Sequence, residues 1–234
     1  RSYGSHATKI GEFERTPNEH GIVTASIPGG TLGIMHVPMP IPGDELTFPS
    51  AAAWHWPDAP EAAREHRAHA ACFASSNELT MVELRLLHSR LVAALTECNG
   101  ASSVYVGSAS LLRKADDYLN DVRDAVDGRV PVLSWVSFNP VPEDTGLSLY
   151  TMGLSDFGLR ELEARHTKLD CWKLFALLGD LAHYQLASGV EVGDGETYGA
   201  TAEEKNRVEH TRSAFVKDMK VSLVHPAACG SVHS

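Results

Sequence analysis

Cysteine is scarce: Cys72, Cys98, Cys171 and Cys229 are the only four in 234 residues, and no two form a Cys-x-x-Cys pair. That spacing excludes a zinc ribbon and a thioredoxin-like redox site. So few thiols in so long a chain are expected to be reduced and buried. Positive charge is also short. Against 30 Asp and Glu stand 20 Lys and Arg, for a formal charge of −10. Nucleic-acid phosphates are held by clustered Lys and Arg, so no nucleic-acid partner is expected. No unbroken apolar run is long enough to span a membrane. The stretch Gly21–Gly43 holds no Asp, Glu, Lys or Arg, but it is interrupted by Pro28, Pro38, Pro40 and Pro42. A spanning helix needs about 20 predominantly apolar residues, so a soluble protein with no membrane partner is expected. The chain opens on Arg1 rather than Met, so its native start is expected upstream, and a removed signal peptide is compatible with that.

Familiar catalytic signatures are missing too. Gly107-Ser108-Ala109-Ser110 and Gly153-Leu154-Ser155 miss the Gly-x-Ser-x-Gly spacing of a nucleophile elbow. Gly193-Asp194-Gly195-Glu196-Thr197-Tyr198-Gly199 is glycine-rich but lacks the Gly-Lys-Ser/Thr ending of a P-loop. Its acidic side chains would repel phosphate, and it reads as a structural turn. No cofactor is expected.

What is present is an ordinary globular balance, 43% hydrophobic and 21% charged. A chain of this size buries about 70% of its unfolded surface and needs no staple. Two β-rich runs from Ile22 to Val37 flank Pro28-Gly29-Gly30 and predict a hairpin. Asp58 and Glu61, around Pro60, predict a capping box and a helix to about Arg67; Ala70–Ala74 predicts a short buried strand. Thr80 and Glu83 predict a second box, opening a helix with Leu84, Leu87, Leu91 and Leu95 at helical spacing and Asn99-Gly100 at its end. Val104–Val106 reads as a strand, and Ala115–Val126 as a helix ended by Gly128. Val132–Phe138 and Leu147–Met152 read as strands joined by the loop Asn139–Gly146. Asp170–Ser188 predicts a long helix with Leu174, Leu178, Leu181 and Gln185 on one line and Trp172 and Phe175 beside it. Thr201 and Glu204 make a third capping box, before β-like runs at Val208–Val216 and Met219–Val224. The order lacks strict βαβ alternation. The expected class is α+β, a mixed, mostly antiparallel sheet with helices packed on it. Residues 1–20 are expected as a loose arm and 226–234 as a flexible tail. Residues 21–225 should form one domain, with two lobes dividing near 128 as the alternative.

Several side chains invite a chemical reading. His66 and His69 would share a helix face and could chelate a metal, although the helix is expected to end near Arg67, which leaves a surface turn. Glu161 and Glu163 would point to one side of a strand, either as paired acid/base carboxylates or as a solvated acidic face. His183, three residues after Asp180, reads as a hydrogen-bonded, half-buried helix histidine. Trp54 and Trp56 are either an exposed anchor for a partner or a lid on the core.

Several pieces together resemble one family: Pro38-Met39-Pro40-Ile41-Pro42, then Trp54 and Trp56, then His69-Ala70. Gly153-Leu154-x-x-Phe157-Gly158 follows, with Glu161-x-Glu163, Ala182-His183-Tyr184, Gly195-x-Thr197-x-Gly199, Glu204-Lys205 and Ser213. Over roughly residues 20–225 the chain resembles the bacterial family known as domain of unknown function 4261. The resemblance implies an α+β domain in a bacterial, cytoplasmic protein and supplies no catalytic residue. Association of such domains with toxin and secretion loci implies an immunity or accessory role. The expected function is therefore non-enzymatic binding of a protein partner, for instance a basic toxin, toward which a charge of −10 would steer. The alternative is a hydrolase using Glu161, Glu163, His183 and Asp194. A subunit of a larger assembly is a third reading, its sign an exposed apolar patch or a homo-oligomer.

Overall fold

The computed structural model describes residues 10–15, 21–125, 129–199, 201 and 205–227. Val126, Gly128, Glu204, Cys229, the rest of the 1–20 arm and tail residues 228–234 lie outside them, as do the readings that rest on them. The chain divides into two compact units, 1–134 and 135–234, where the sequence reading placed one domain or a division near 128. The fold class is the α+β expected, with mostly antiparallel sheets.

The first unit contains β1 (Phe13–Arg15), β2 (Ile22–Ile27), β3 (Gly30–Val37), α1 (Thr47–Ala52), α2 (Ala59–Glu65), β4 (His69–Ser76) and α3 (Met81–Asn99). It continues with β5 (Ser103–Val106), β6 (Leu111–Lys114) and α4 (Ala115–Arg123), and the boundary falls inside the one-turn helix α5 (Val132–Trp135). Strands β1 to β4 form an antiparallel sheet in chain order. The predicted hairpin is β2–β3. The arm is not wholly loose, because Phe13–Arg15 pairs with β2. Gly33 lies under the ring of Phe73, where a Cβ would come 1.9 Å from Cζ, so only glycine lets the ring cross β3. Helix α3 lays Leu84 and Leu87 on Ile27 and Leu32.

The Thr80–Glu83 box closes as predicted, with Glu83 N–H donating to Thr80 Oγ1 at 3.3 Å and Thr80 N–H to Glu83 Oε2 at 2.9 Å. The Asp58 box does not form. Asp58 sits at φ −85°, ψ 3°, outside the extended region from which a capping side chain reaches back, and its carbonyl takes the Glu61 N–H at 3.1 Å instead. Ala70–Ala74 lies inside the longer β4 and is half-buried or exposed, not buried. The described cysteines are free thiols, as expected, but Cys72 and Cys171 are only half-buried and Cys98 is exposed.

The second unit contains β7 (Ser137–Glu143), β8 (Gly146–Met152), β9 (Glu161–Thr167), α6 (Cys171–Ser188), β10 (Thr197–Tyr198), β11 (Asn206–Arg212) and β12 (Lys220–His225). Its six-stranded sheet runs β10-β11-β12-β9-β8-β7, antiparallel except for the β12–β9 pair. The strand predicted at Val132–Phe138 is instead one turn of helix followed by β7, and most of the predicted loop belongs to β7. Pro140 and Pro142 argued for a loop, but β7 is an edge strand, where proline's missing N–H leaves no ladder bond broken. Asp170 caps α6 through the Lys173 N–H at 2.9 Å, and Gly189 ends it at φ 69°. Leu174, Leu178 and Leu181 are fully buried and Gln185 nearly so. Phe175 meets Phe138 edge to face at 4.9 Å, which places α6 on the face carrying Phe138, Leu149, Leu162 and Ala164. Trp172 is not beside that line but 66% exposed. Two residues before Leu174, it falls on the far side of the helix.

Candidate functional site

The carboxylates of β9 alternate with Leu162 and Ala164 and therefore face away from α6. They are not a solvated acidic face: Glu161 is 1% exposed and Glu163 0%. Glu161 Oε2 accepts from Thr151 Oγ1 at 2.8 Å, and its Oε1 accepts from the N–H groups of Gly153 and Ser155 at 2.8 and 2.9 Å. Gly153, at φ 123°, opens a 3₁₀ turn over Leu154–Phe157, and Glu161 satisfies donors that such a turn leaves orphaned. Its role is to hold that corner.

Glu163 Oε1 accepts from Arg165 Nε at 2.8 Å and from the Ala214 N–H at 3.0 Å. Arg165 Nη2 donates to the Arg212 carbonyl at 2.7 Å, so the pair ties the β11–β12 connection to the sheet. Glu163 Oε2 is buried with no hydrogen-bond partner. Tyr150 sits opposite Glu163 on β8 and stacks on Phe215 at 5.3 Å. Burial, and secondly the Glu163 charge, push the Tyr150 hydroxyl above the usual phenol range.

The other two hydrolase candidates do not join them. Asp194 Oδ1 accepts the His210 N–H at 2.8 Å, and His210 Nε2 lies 3.1 Å from the Val192 carbonyl, so Asp194 braces its own turn. His183 is half-buried on α6, but makes no hydrogen bond among the described residues, contrary to the expectation. Among those four side chains no hydrogen bond or ion pair links any two.

His66 and His69 are likewise not a chelating pair. Helix α2 ends before His66, whose Nε2 accepts from the Ile41 N–H at 2.7 Å while Nδ1 lies 2.6 Å from the Ala63 carbonyl. Both ring nitrogens are occupied. His69 Nδ1 bonds the Met39 carbonyl at 2.9 Å. Among the described residues no group of three His, Cys, Asp or Glu side chains is placed to hold a metal ion. Trp56 packs on Ala53, Ala59 and Leu112, which favours the lid reading, and Trp54 is half-buried with its ring 5.8 Å from that of His55.

Sequence reasoning missed a polar hub in the first unit. Arg113, 7% exposed, donates to Asp121 at 2.6 Å and to His55 Nε2 at 3.1 Å, and Ser134 also donates to Asp121 at 2.8 Å. Desolvation, then the Arg113 charge, hold the His55 imidazole below the usual histidine range. Its sequence signal was slight: Arg113 directly after the apolar pair Leu111-Leu112, in a strand that ends on Lys114.

Sequence reasoning also missed a groove of about 500 Å³ in the second unit, lined by Tyr184, Val190, Glu191, Glu196, Thr197 and Tyr198, among others. Its tyrosine rings lie 5.7 Å apart at 44°. Glu191 pairs with Arg160, and Glu196 Oε2 accepts the Gly193 N–H at 2.6 Å. The signal was the glycine-rich turn after α6, which looked purely structural. Among the described residues no helix is long and apolar enough to cross a membrane.

Residues 150–224 match the family described as Domain of unknown function (DUF4261), the family whose motifs the sequence resembles. The matched segment begins in β8 and ends in β12, so it holds both buried glutamates, α6 and the groove. No curated protein and no solved structure matches the chain.

Proposed function

We propose that this chain is a non-enzymatic binding protein that engages a basic protein partner, in an immunity or secretion-accessory role inside the cell. The observation that carries the reading is where the candidate catalytic carboxylates go. Glu161 and Glu163 accept backbone N–H groups of nearby turns and Asp194 accepts one from β11, which is the work of holding a fold. They do not converge with His183 on a common reacting atom, as acid/base chemistry requires. The charge of −10 supports a cationic partner, since long-range attraction raises association rates and falls with salt. Pull-down from the source cell, followed by titration at rising salt, tests this. Capture of a basic protein whose association slows as salt rises is the expected result. No capture, or binding indifferent to ionic strength, overturns it.

One observation favours the hydrolase alternative: the unpartnered, buried Glu163 Oε2 beside Tyr150. Loss of a measurable hydrolysis in Glu163→Gln, with thermal stability preserved, would move that reading to first place. His183→Gln gives a second discrimination. A structural histidine affects stability alone, whereas lost activity at unchanged stability supports the enzyme.

A further inference from the structure

We infer that the groove between the end of α6 and β10 receives a single cationic side chain, arginine or lysine, from the protein partner; this rests on the binding function proposed above. Three independent features of the second unit favour a cation there.

The first is aromatic. Tyr184, 43% exposed, and Tyr198 present tilted rings 5.7 Å apart, and ring faces attract guanidinium and ammonium groups. The second is the balance of charge. Arg160 neutralises Glu191, which leaves Glu196 on the wall and Asp194 beside it across Gly195 without a paired cation among the described residues. The third is the helix. Gly189 ends α6 immediately before Val190 on the groove wall, and the last turn of α6 carries no basic residue. The partial negative charge at the C-terminus of an 18-residue helix is therefore not offset by its own side chains.

The shape of the sheet edge says what kind of contact this is. β10, the edge strand beside the groove, is two residues long, too short to template an added strand. Recognition falls to the side chain that lies against the exposed face of Tyr184, with the aliphatic stem of arginine or lysine lying along Val190, which is 54% exposed.

The test uses the full chain, with acetyl-Gly-Gly-Arg-Gly-Gly-amide as probe, its lysine analogue, and its citrulline analogue as the neutral isostere. Backbone amide resonances are followed by NMR. The arginine and lysine peptides should shift the amides of residues 190–198, and the citrulline peptide should not. Tyr184→Ala should weaken binding about 3- to 30-fold, the range of one cation–π contact. Tyr184→Phe, which keeps the ring, should restore it and so exclude a folding defect. Glu196→Gln, which keeps an acceptor for Gly193, should weaken binding and flatten its salt dependence. Equal response to citrulline, absence of shifts at 190–198, or unchanged affinity in Tyr184→Ala overturns the assignment. Failures separate cleanly. A basic partner captured equally by Tyr184→Ala sinks the groove and leaves the binding function standing. Peptide binding at the groove with no partner captured sinks the binding function and leaves the groove.

Discussion

In the first unit the buried charge is Arg113, and a counter-charge lies against it: Asp121 at 2.6 Å, with Ser134 and His55 completing the cluster. In the second unit the most thoroughly bonded buried charge is Glu161, and its partners are Thr151 and the N–H groups of Gly153 and Ser155, with no cation among them. Both arrangements answer the cost of taking a charge out of water, but they differ in what can replace them. An ion pair is made of two side chains, so both can be exchanged for apolar groups of like volume, often without loss. Backbone N–H groups cannot be exchanged. A carboxylate that satisfies them has no apolar substitute.

The largest expected effect follows from that asymmetry. Glu161→Leu should cost about 3–5 kcal/mol, because it takes the acceptor from the buried Gly153 N–H and Thr151 hydroxyl, at about 1–3 kcal/mol each, and from the part-buried Ser155 N–H. Urea denaturation measures it, and a loss under about 1 kcal/mol would break the comparison. Leu178→Ala, at a fully buried position of α6, sets the uncharged scale for the same unit at about 2–5 kcal/mol, from lost transfer energy and the cavity left behind. Arg113→Met alone should cost about 2–3 kcal/mol by leaving Asp121 without its cation, and the double variant Arg113→Met/Asp121→Leu should return to within about 1 kcal/mol of the parent. No recovery in the double variant would show that the two hubs are alike after all.

Two smaller effects read the charges directly. Glu163→Gln removes the negative neighbour of Tyr150, so the hydroxyl should titrate lower, while staying above the usual range because burial is the larger cause. NMR of ring-labelled tyrosine follows it; an unmoved titration would mean that the Glu163 side chain does not act on this hydroxyl. Asp170 is an exposed contrast. Its carboxyl is held below the usual carboxylate range, first by the Lys173 N–H. A depressed folded value stabilises the fold above the unfolded value, and that contribution is lost as pH falls through the folded value. The stability gap between the parent and Asp170→Asn should therefore be constant near neutrality and close below about pH 4. A gap that persists in acid counts against this charge.

The parts of this architecture legible in the sequence are those whose signals are local. Thr80, Glu83 and Gly100 bound α3, and Asp170 and Gly189 bound α6, because caps act within one turn. The leucine line of α6 was readable from its spacing alone. Position within a sheet was not. Pro140 and Pro142 looked like a loop because nothing in the sequence says that β7 is an edge. Glu161-x-Glu163 looked solvated because alternation tells which face a residue shares, not what covers that face. Its partners lie on β8, in the corner after it and in the β11–β12 connection. The groove escaped for the same reason: Tyr184 and Tyr198 are brought together by the turn between them and by β10 pairing with β11.

The place of β12 sets a schedule for synthesis. It is the last of the six strands to leave a ribosome, yet it stands inside the sheet, between β11 and β9. Until residues 220–225 emerge, β9 has β8 on one side and an open row of peptide groups on the other, and the β10–β11 ribbon has nothing to join. The nascent unit therefore carries an unpaired interior edge through most of its translation, a state in which strands pair with the wrong neighbour. A message truncated before Lys220 yields two fragments of a sheet, not a shorter sheet.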